Sequence, residues 1–255
     1  MFAINPFAEL SAFIPPAVMQ TYVVIMAVLV AVGTLFDIVH KGSAKYFFAN
    51  WRKMKGKAKE VGSGELVSIA IKTGVVDVLA SGEFCNARRR VAHLLTMYGF
   101  VLHVVSTVVM VFGLSMDSLW PHLWWIGGLM ILVGGYWFWF FIRADVAAEG
   151  NSPWRVMHAD LFILSLLASV TLGLVWAFLQ AGTRPGAGLF FALYILATTV
   201  LFASVPWSKF AHMFFKPAAA FEKRVSYANG TRSNLPAPAD KPERFGSART
   251  PPQHY

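Results

Sequence analysis

Long apolar stretches separated by short polar ones constrain this chain more than any other feature. The clearest runs from Val91 to Gly113 and contains, besides Tyr98, only two ionisable side chains, His93 and His103. About 20 consecutive apolar residues are enough for a helix to cross the hydrocarbon core of a bilayer. Charged residues make up only 14% of the chain, whereas a soluble domain would contain about a quarter. The chain is therefore predicted to be an all-α integral membrane protein.

Five stretches have the length of a spanning helix, and they predict a five-helix bundle within one membrane domain, residues 1–225. Pro206 is expected to kink or end the fifth helix, because proline lacks the N–H of a helical residue. Residues 226–255 are rich in Pro, Ala, Ser and Gly and predict an extended or disordered tail. The predicted spans are Ala17–Ile38, Val91–Gly113, His122–Ile142, Met157–Gln180 and Gly188–Val205.

The cationic residues predict the orientation of the bundle. With these spans, 21 of the 22 Lys and Arg residues fall on one side, and Arg184 alone lies on the other. Because cytoplasmic loops of membrane proteins are rich in Lys and Arg, the N-terminus is expected outside and the C-terminus in the cytoplasm of a cell inner membrane. Trp124 and Trp125 at one end of the third span, and Trp139 near the other, are interpreted as interfacial aromatic anchors.

The connection over residues 40–90 has two parts. Lys41–Gly62 is basic with interleaved aromatic residues, a pattern that also occurs in nucleic-acid-binding proteins. Beside a membrane span it favours anionic lipid headgroups or an acidic protein partner, so no nucleic acid is expected. Gly64–Phe84 has apolar residues at helical spacing and predicts an amphipathic cytoplasmic helix. Contact with lipid and contact with a soluble subunit are equally compatible with this pattern.

The histidines are the candidate functional residues, because ionisable groups inside a membrane usually face a cavity, a partner or a metal. Two neutral histidines that merely bond to Ser or Thr on neighbouring helices are the structural alternative. His93 and His103 are ten residues apart, so they lie roughly 15 Å apart along a helix. That separation would suit two redox centres stacked across a membrane. Cys85 is the only cysteine, which excludes an iron–sulfur cluster within the chain but not a haem.

Ligation of haem by two imidazoles requires histidines at equal depth on facing helices. Counting from the flanking charges places His93, His158 and His212 near the cytoplasmic face. His93 with His212 is the best pair, and His158 is a substitute partner. Arg90 and Lys209 lie close enough in sequence to neutralise haem propionates, although basic residues flank cytoplasmic helix ends in any case.

Two motifs resemble a known family. RRRVAHLLTMYGFVLH (88–103) opens the second span, and VPWSKFAHMFFKP (205–217) ends the fifth. Together they resemble the gamma subunit of respiratory nitrate reductase and the related membrane subunits of sulfur metabolism. These include the quinone-interacting membrane oxidoreductase and the membrane anchor of adenylylsulfate reductase, and the resemblance covers roughly Val23–Pro217. The chain lacks the cysteine-rich domain of the larger members, which favours the short anchor.

The resemblance implies a cytochrome b that exchanges electrons between quinone and a cytoplasmic iron–sulfur flavoenzyme. It implies that His93 and His212 hold one haem b, and that His103 is one ligand of a second. The other ligand of that second haem is expected about 18 residues before His212, where this chain has Tyr194. Tyrosine can ligate haem iron, so the number of haems, one or two, stays open. The rival hypotheses are a haem-free anchor with a quinone site and, less favoured, a transporter.

Overall fold

The regular elements are all helical wherever the chain is described. The computed structural model describes residues 2–40, 45, 47–49, 51–52, 59–84, 86–143, 154–208 and 212–231. Within these ranges it contains no strand. The helices are α1 (Pro6–Leu10), α2 (Pro16–His40), α3 (Ser63–Lys72), α4 (Ala87–Phe112), α5 (Leu119–Trp137), α6 (Leu161–Ala181), α7 (Ala187–Ala203) and α8 (His212–Ala228).

In the described part of the chain, four helices are long and apolar enough to cross a membrane: α2, α4, α5 with its π-helical extension to Ile142, and α6. They correspond to the first four predicted spans, and they make this a membrane protein by length and composition. The fifth predicted span is the apolar helix α7, which has 17 residues. At 1.5 Å per residue, α7 is roughly 26 Å long, slightly less than the thickness of a hydrocarbon core.

The fourth span begins later than predicted, whereas α4 and α5 begin four and three residues before the predicted spans. The fourth span was predicted from Met157, but α6 begins at Leu161 after a 3₁₀ turn over His158–Asp160. The Asp160 carboxylate accepts the Met157 N–H at 2.8 Å and forms an ion pair with Arg143. These contacts hold the preceding backbone out of the helix. The expected break at Pro206 is confirmed, because α7 ends at Ala203 and Pro206 lies in a 3₁₀ turn.

Helix α5 is central and packs closely against two neighbours. Gly127 faces α4 so closely that an added Cβ would lie 2.7 Å from the backbone nitrogen of His103. Seven residues later, which is about two helical turns, a Cβ on Gly134 would lie 2.7 Å from the carbonyl oxygen of Ala92. The adjacent glycines face α6, where a Cβ on Gly128 would meet Leu174. Small residues thus allow three helix backbones to approach one another.

The short helix α1 closes one end of the bundle. Phe7 packs edge-on to Trp124, with ring centroids 6.1 Å apart, and against Trp176 at 5.4 Å. Gln180 donates to the carbonyl of Pro6 at 2.5 Å and accepts from the Trp176 indole at 2.7 Å. By contrast, the long helix α2 is mostly exposed, so a cavity remains between it and the rest of the bundle.

Candidate functional site: two histidines on one spanning helix

His93 is held by the loop that precedes its own helix. The Nδ1 atom of His93 lies 3.0 Å from Oγ of Ser81, and its ring contacts Phe84 with centroids 4.8 Å apart. Ser81 is buried and has a positive φ of 49°. A non-glycine residue in this region of φ is uncommon and carries backbone strain. The loop therefore adopts a costly conformation that brings its hydroxyl to the imidazole.

Two further side chains of α4 fix the same loop. Arg90 donates from Nε to the carbonyl of Ala80 at 2.8 Å, and the Tyr98 hydroxyl donates to the carbonyl of Leu79 at 2.7 Å. Arg90, His93 and Tyr98 therefore hold three consecutive loop residues along one side of the helix. Arg90 uses one of its five N–H donors for the loop, and the other four have no hydrogen-bond partner among the described residues.

The predicted partners of His93 are described only in part. His212 is the first residue of α8, but its side chain lies outside the described part of the structure, as does Lys209. The His93–His212 pair therefore stays a prediction. His158 lies in the 3₁₀ turn before α6 and is exposed.

His103 is buried in the centre of the bundle. Its Nδ1 lies 2.9 Å from the carbonyl oxygen of Trp124, and its ring stacks on that indole with centroids 4.6 Å apart. Because a carbonyl oxygen can only accept, Nδ1 carries the proton and Nε2 keeps its lone pair. The interpretation of Trp124 as an interfacial anchor is wrong, since this side chain is fully buried and its indole donates to Thr107 at 3.0 Å. Trp125 and Trp139 are also buried.

A cavity of about 340 Å³ lies beside His103, between α2, α4, α6 and α7. Its wall is almost entirely apolar, and its polar side chains are few: His103, Tyr22, Tyr194, Ser169 and two threonines. Ligand sites commonly combine such an apolar wall with a small number of placed hydrogen-bonding groups. His103 and Tyr194, which sequence reasoning considered as a pair, therefore line the same cavity.

The polar residues that line the cavity together with His103 make hydrogen bonds between helices as well as within them. The Ser169 and Thr198 hydroxyls are 2.7 Å apart, and Thr198 donates to the carbonyl of Tyr194 at 2.7 Å. The ring of Tyr194 stacks on Trp176, with centroids 5.7 Å apart. The Tyr22 hydroxyl from α2 lies 3.1 Å from the carbonyl oxygen of Ile195. These hydrogen bonds thus join both α6 and α2 to α7 beside the cavity.

The charges available for a cofactor are unevenly placed. None of the described residues that line the cavity is Lys or Arg. Nor do three His, Cys, Asp or Glu side chains come together as a metal-binding group anywhere in the described ranges. The charged contacts lie instead beyond the ends of the spans, where Arg224 of α8 donates to both carboxylate oxygens of Asp77 at 2.5 and 2.7 Å. These hydrogen bonds raise the pKa of Arg224.

Comparison with known proteins gives a partial and distant match. Over 166 residues, or 61% of the chain, the sequence is 28% identical to citrate utilization protein B of Escherichia coli. The chain spans 42% of the length of that relative. No family model and no solved structure matches the chain. The similarity therefore relates this chain to one part of a longer protein whose name refers to citrate use.

Sequence reasoning missed three residues of this site. Ser81 is one, because its contact with His93 depends on the loop folding back onto α4. Trp124 was assigned to the membrane interface, although the tryptophan lies on the glycine-lined face that meets α4. Tyr22, the third, does not belong to any sequence motif. A tyrosine inside an otherwise apolar span was the available signal for it, since a buried hydroxyl usually finds a partner.

Proposed function

We propose that this chain is a membrane-embedded electron-transfer subunit of the cytochrome b kind, which exchanges electrons between quinone and a cytoplasmic iron–sulfur flavoenzyme. The observation that carries the proposal is the setting of His93 and His103. Both lie on one spanning helix, and Nδ1 of each is within hydrogen-bond distance of an oxygen. Metal-binding histidines typically use one ring nitrogen in this way, which orients the other toward the metal.

In this proposal His93 and His212 would hold the iron of one haem b near the cytoplasmic face. The haem would supply a one-electron carrier, and the chain would supply its position and surroundings. Ser81, by accepting the Nδ1 proton of His93, would leave Nε2 as the ligand atom. Arg90 has free donors beside this position, and Lys209 is close in sequence to His212. Both are assigned to the propionates.

The cavity beside His103 is assigned to quinone rather than to a second haem. A haem would bring two propionates, and none of the described lining residues is a cation that could neutralise them. A quinone is neutral, and its ring carbonyls accept hydrogen bonds from hydroxyl groups such as that of Tyr194. The apolar wall between α2 and α4 suits an isoprenoid tail. A haem-free protein with this quinone site is the second candidate function.

Purification from membranes of the native host in mild detergent tests the proposal. The reduced protein is expected to show the α-band of a b-type haem, and added quinol should reduce that haem. An iron–sulfur flavoprotein should co-purify and be identifiable by mass spectrometry. The sequence resemblance favours adenylylsulfate reductase, whereas the E. coli relative is named for citrate use, and the identity of the co-purifying protein separates these partners. A colourless protein would refute the haem and leave the quinone-site candidate.

The membrane orientation is part of the same proposal: five spans, N-terminus outside and C-terminus in the cytoplasm of the inner membrane. Its support is the 21-to-1 division of Lys and Arg residues between the two sides. Reporter fusions after Glu60 and after Val225 are expected to report a cytoplasmic position, and a fusion at Gly182 an external one. If α7 does not cross the membrane, the fusions at Gly182 and Val225 will report the same side.

A further inference from the structure

The segment that precedes α4 exposes an apolar stripe. Helix α3 continues directly into π-helical turns over Thr73–Leu79, so residues 63–79 form one continuous helical segment. Along one side lie aliphatic residues at a spacing of four, each more than half exposed: Val67, Ile71, Val75 and Leu79. Residues four apart lie on the same face of a helix. The stripe is therefore a single surface, without cover from any described part of the chain.

The opposite side of this segment is already packed. Thr73 is buried, and Asp77 pairs with Arg224 of α8. Between the two sides runs a polar edge formed by Glu65, Ser68 and Lys72, all exposed. The segment thus has three faces, of which one meets the protein, one is polar and one is aliphatic. Among the described residues, none covers the aliphatic face.

The depth of the segment follows from its contacts with α4. Arg90 and Tyr98 are eight residues apart, which is about 12 Å along the helix axis. Their side chains bind the carbonyls of Ala80 and Leu79. The end of the segment therefore lies alongside the first turns of a spanning helix, on the membrane side of Arg90. Leu79 is next to the half-exposed Tyr98, so the stripe is continuous with the outer surface of α4.

We propose that residues 63–79 are an interfacial membrane helix, with Val67, Ile71, Val75 and Leu79 in contact with lipid acyl chains and with increasing depth toward Leu79. Amphipathic helices bury their apolar face at the boundary between headgroups and acyl chains in this way. Lys72 and Arg88, both exposed, lie around the segment and would meet anionic headgroups. The stripe contains no aromatic residue and no arginine, which are the side chains enriched at protein–protein interfaces.

Spin labels can test this contact in the full chain. In a Cys85→Ser background, single cysteines replace Ile71 on the stripe and, as the matched control, Ser68 on the polar edge of the same helix. Both positions are exposed, so the labels should not disturb packing. The labelled protein is placed in nanodiscs of phosphatidylcholine and phosphatidylglycerol. Collision rates are then measured with oxygen, which concentrates in lipid, and with a water-soluble nickel chelate.

At Ile71 the accessibility to oxygen is expected to exceed that to the chelate severalfold, and at Ser68 the order should be reversed. A label at Leu79 should be still less accessible to the chelate than one at Val67. High chelate accessibility at both Ile71 and Leu79 would overturn the proposal and leave the stripe as a docking surface for a soluble protein. The result is independent of the electron-transfer proposal, because the measurement requires neither haem nor quinone.

Discussion

Replacement of Gly127 by alanine is expected to destabilise the bundle strongly. The new Cβ would lie 2.7 Å from the backbone nitrogen of His103 and 2.8 Å from the carbonyl oxygen of Gly99. Backbone atoms of a helix cannot move aside as a flexible side chain can, so α4 and α5 must separate. Overpacking typically costs about 1–3 kcal/mol, and occasionally more. The displacement also moves His103, so the loss of stability should be accompanied by a changed cavity.

Gly188 provides the matched control for this substitution. It lies in the apolar helix α7, and nothing is within 4 Å of the position that its Cβ would take. Alanine there is expected to leave stability unchanged or raise it slightly, because alanine has the higher helix propensity. The measurement is the temperature at which half of the detergent-solubilised protein stops eluting as a single species. Equal temperatures for Gly127→Ala and Gly188→Ala would contradict the close contact of α4 with α5.

Hydropathy and length were sufficient to predict most of the membrane fold. The four long helices correspond to the first four predicted spans, because about 20 apolar residues have few other stable structures in a chain of this composition. The start of α6 was predicted four residues early. Just before its observed start, Asp160 forms an ion pair with Arg143, which lies 17 residues earlier in the chain. Such a contact cannot be recognised from the hydropathy of the segment.

The site was less predictable, because α5 is apolar on all sides and its sequence does not show which side faces inward. Trp124 was therefore interpreted as an anchor, although it stacks on His103. The paired glycines Gly127–Gly128 and Gly134–Gly135 were the available signal, because they mark the faces on which other helices approach. Family spacing paired His103 with Tyr194 as possible ligands of a second haem, but it did not predict the cavity that both residues line. The contact of Ser81 with His93 arises from a loop with positive φ, which composition does not reveal.

Alanine at His93 or at His212 is expected to abolish or strongly shift the α-band of the reduced protein, since either change removes one proposed axial ligand of the haem. His122→Ala is the matched control. This residue is exposed and its Nδ1 lies 2.7 Å from the carbonyl oxygen of Ser118 in the preceding turn, so its loss should leave the spectrum unchanged. An unchanged spectrum in both His93→Ala and His212→Ala would contradict the assignment of these two histidines as ligands of the haem iron.

Two further variants distinguish residues that would ligate the haem iron from residues that would act beside those ligands. Ser81→Ala removes the hydroxyl at Nδ1 of His93, and it is expected to retain the haem while shifting its reduction potential, because hydrogen bonds at the outer nitrogen tune a ligating imidazole. His103→Ala is expected to leave the α-band intact and to slow reduction of the haem by added quinol. If His103→Ala instead removes half of the haem absorbance, the cavity beside Tyr194 holds a second haem. The absence of cations from its described wall would then require that the propionates lie outside it.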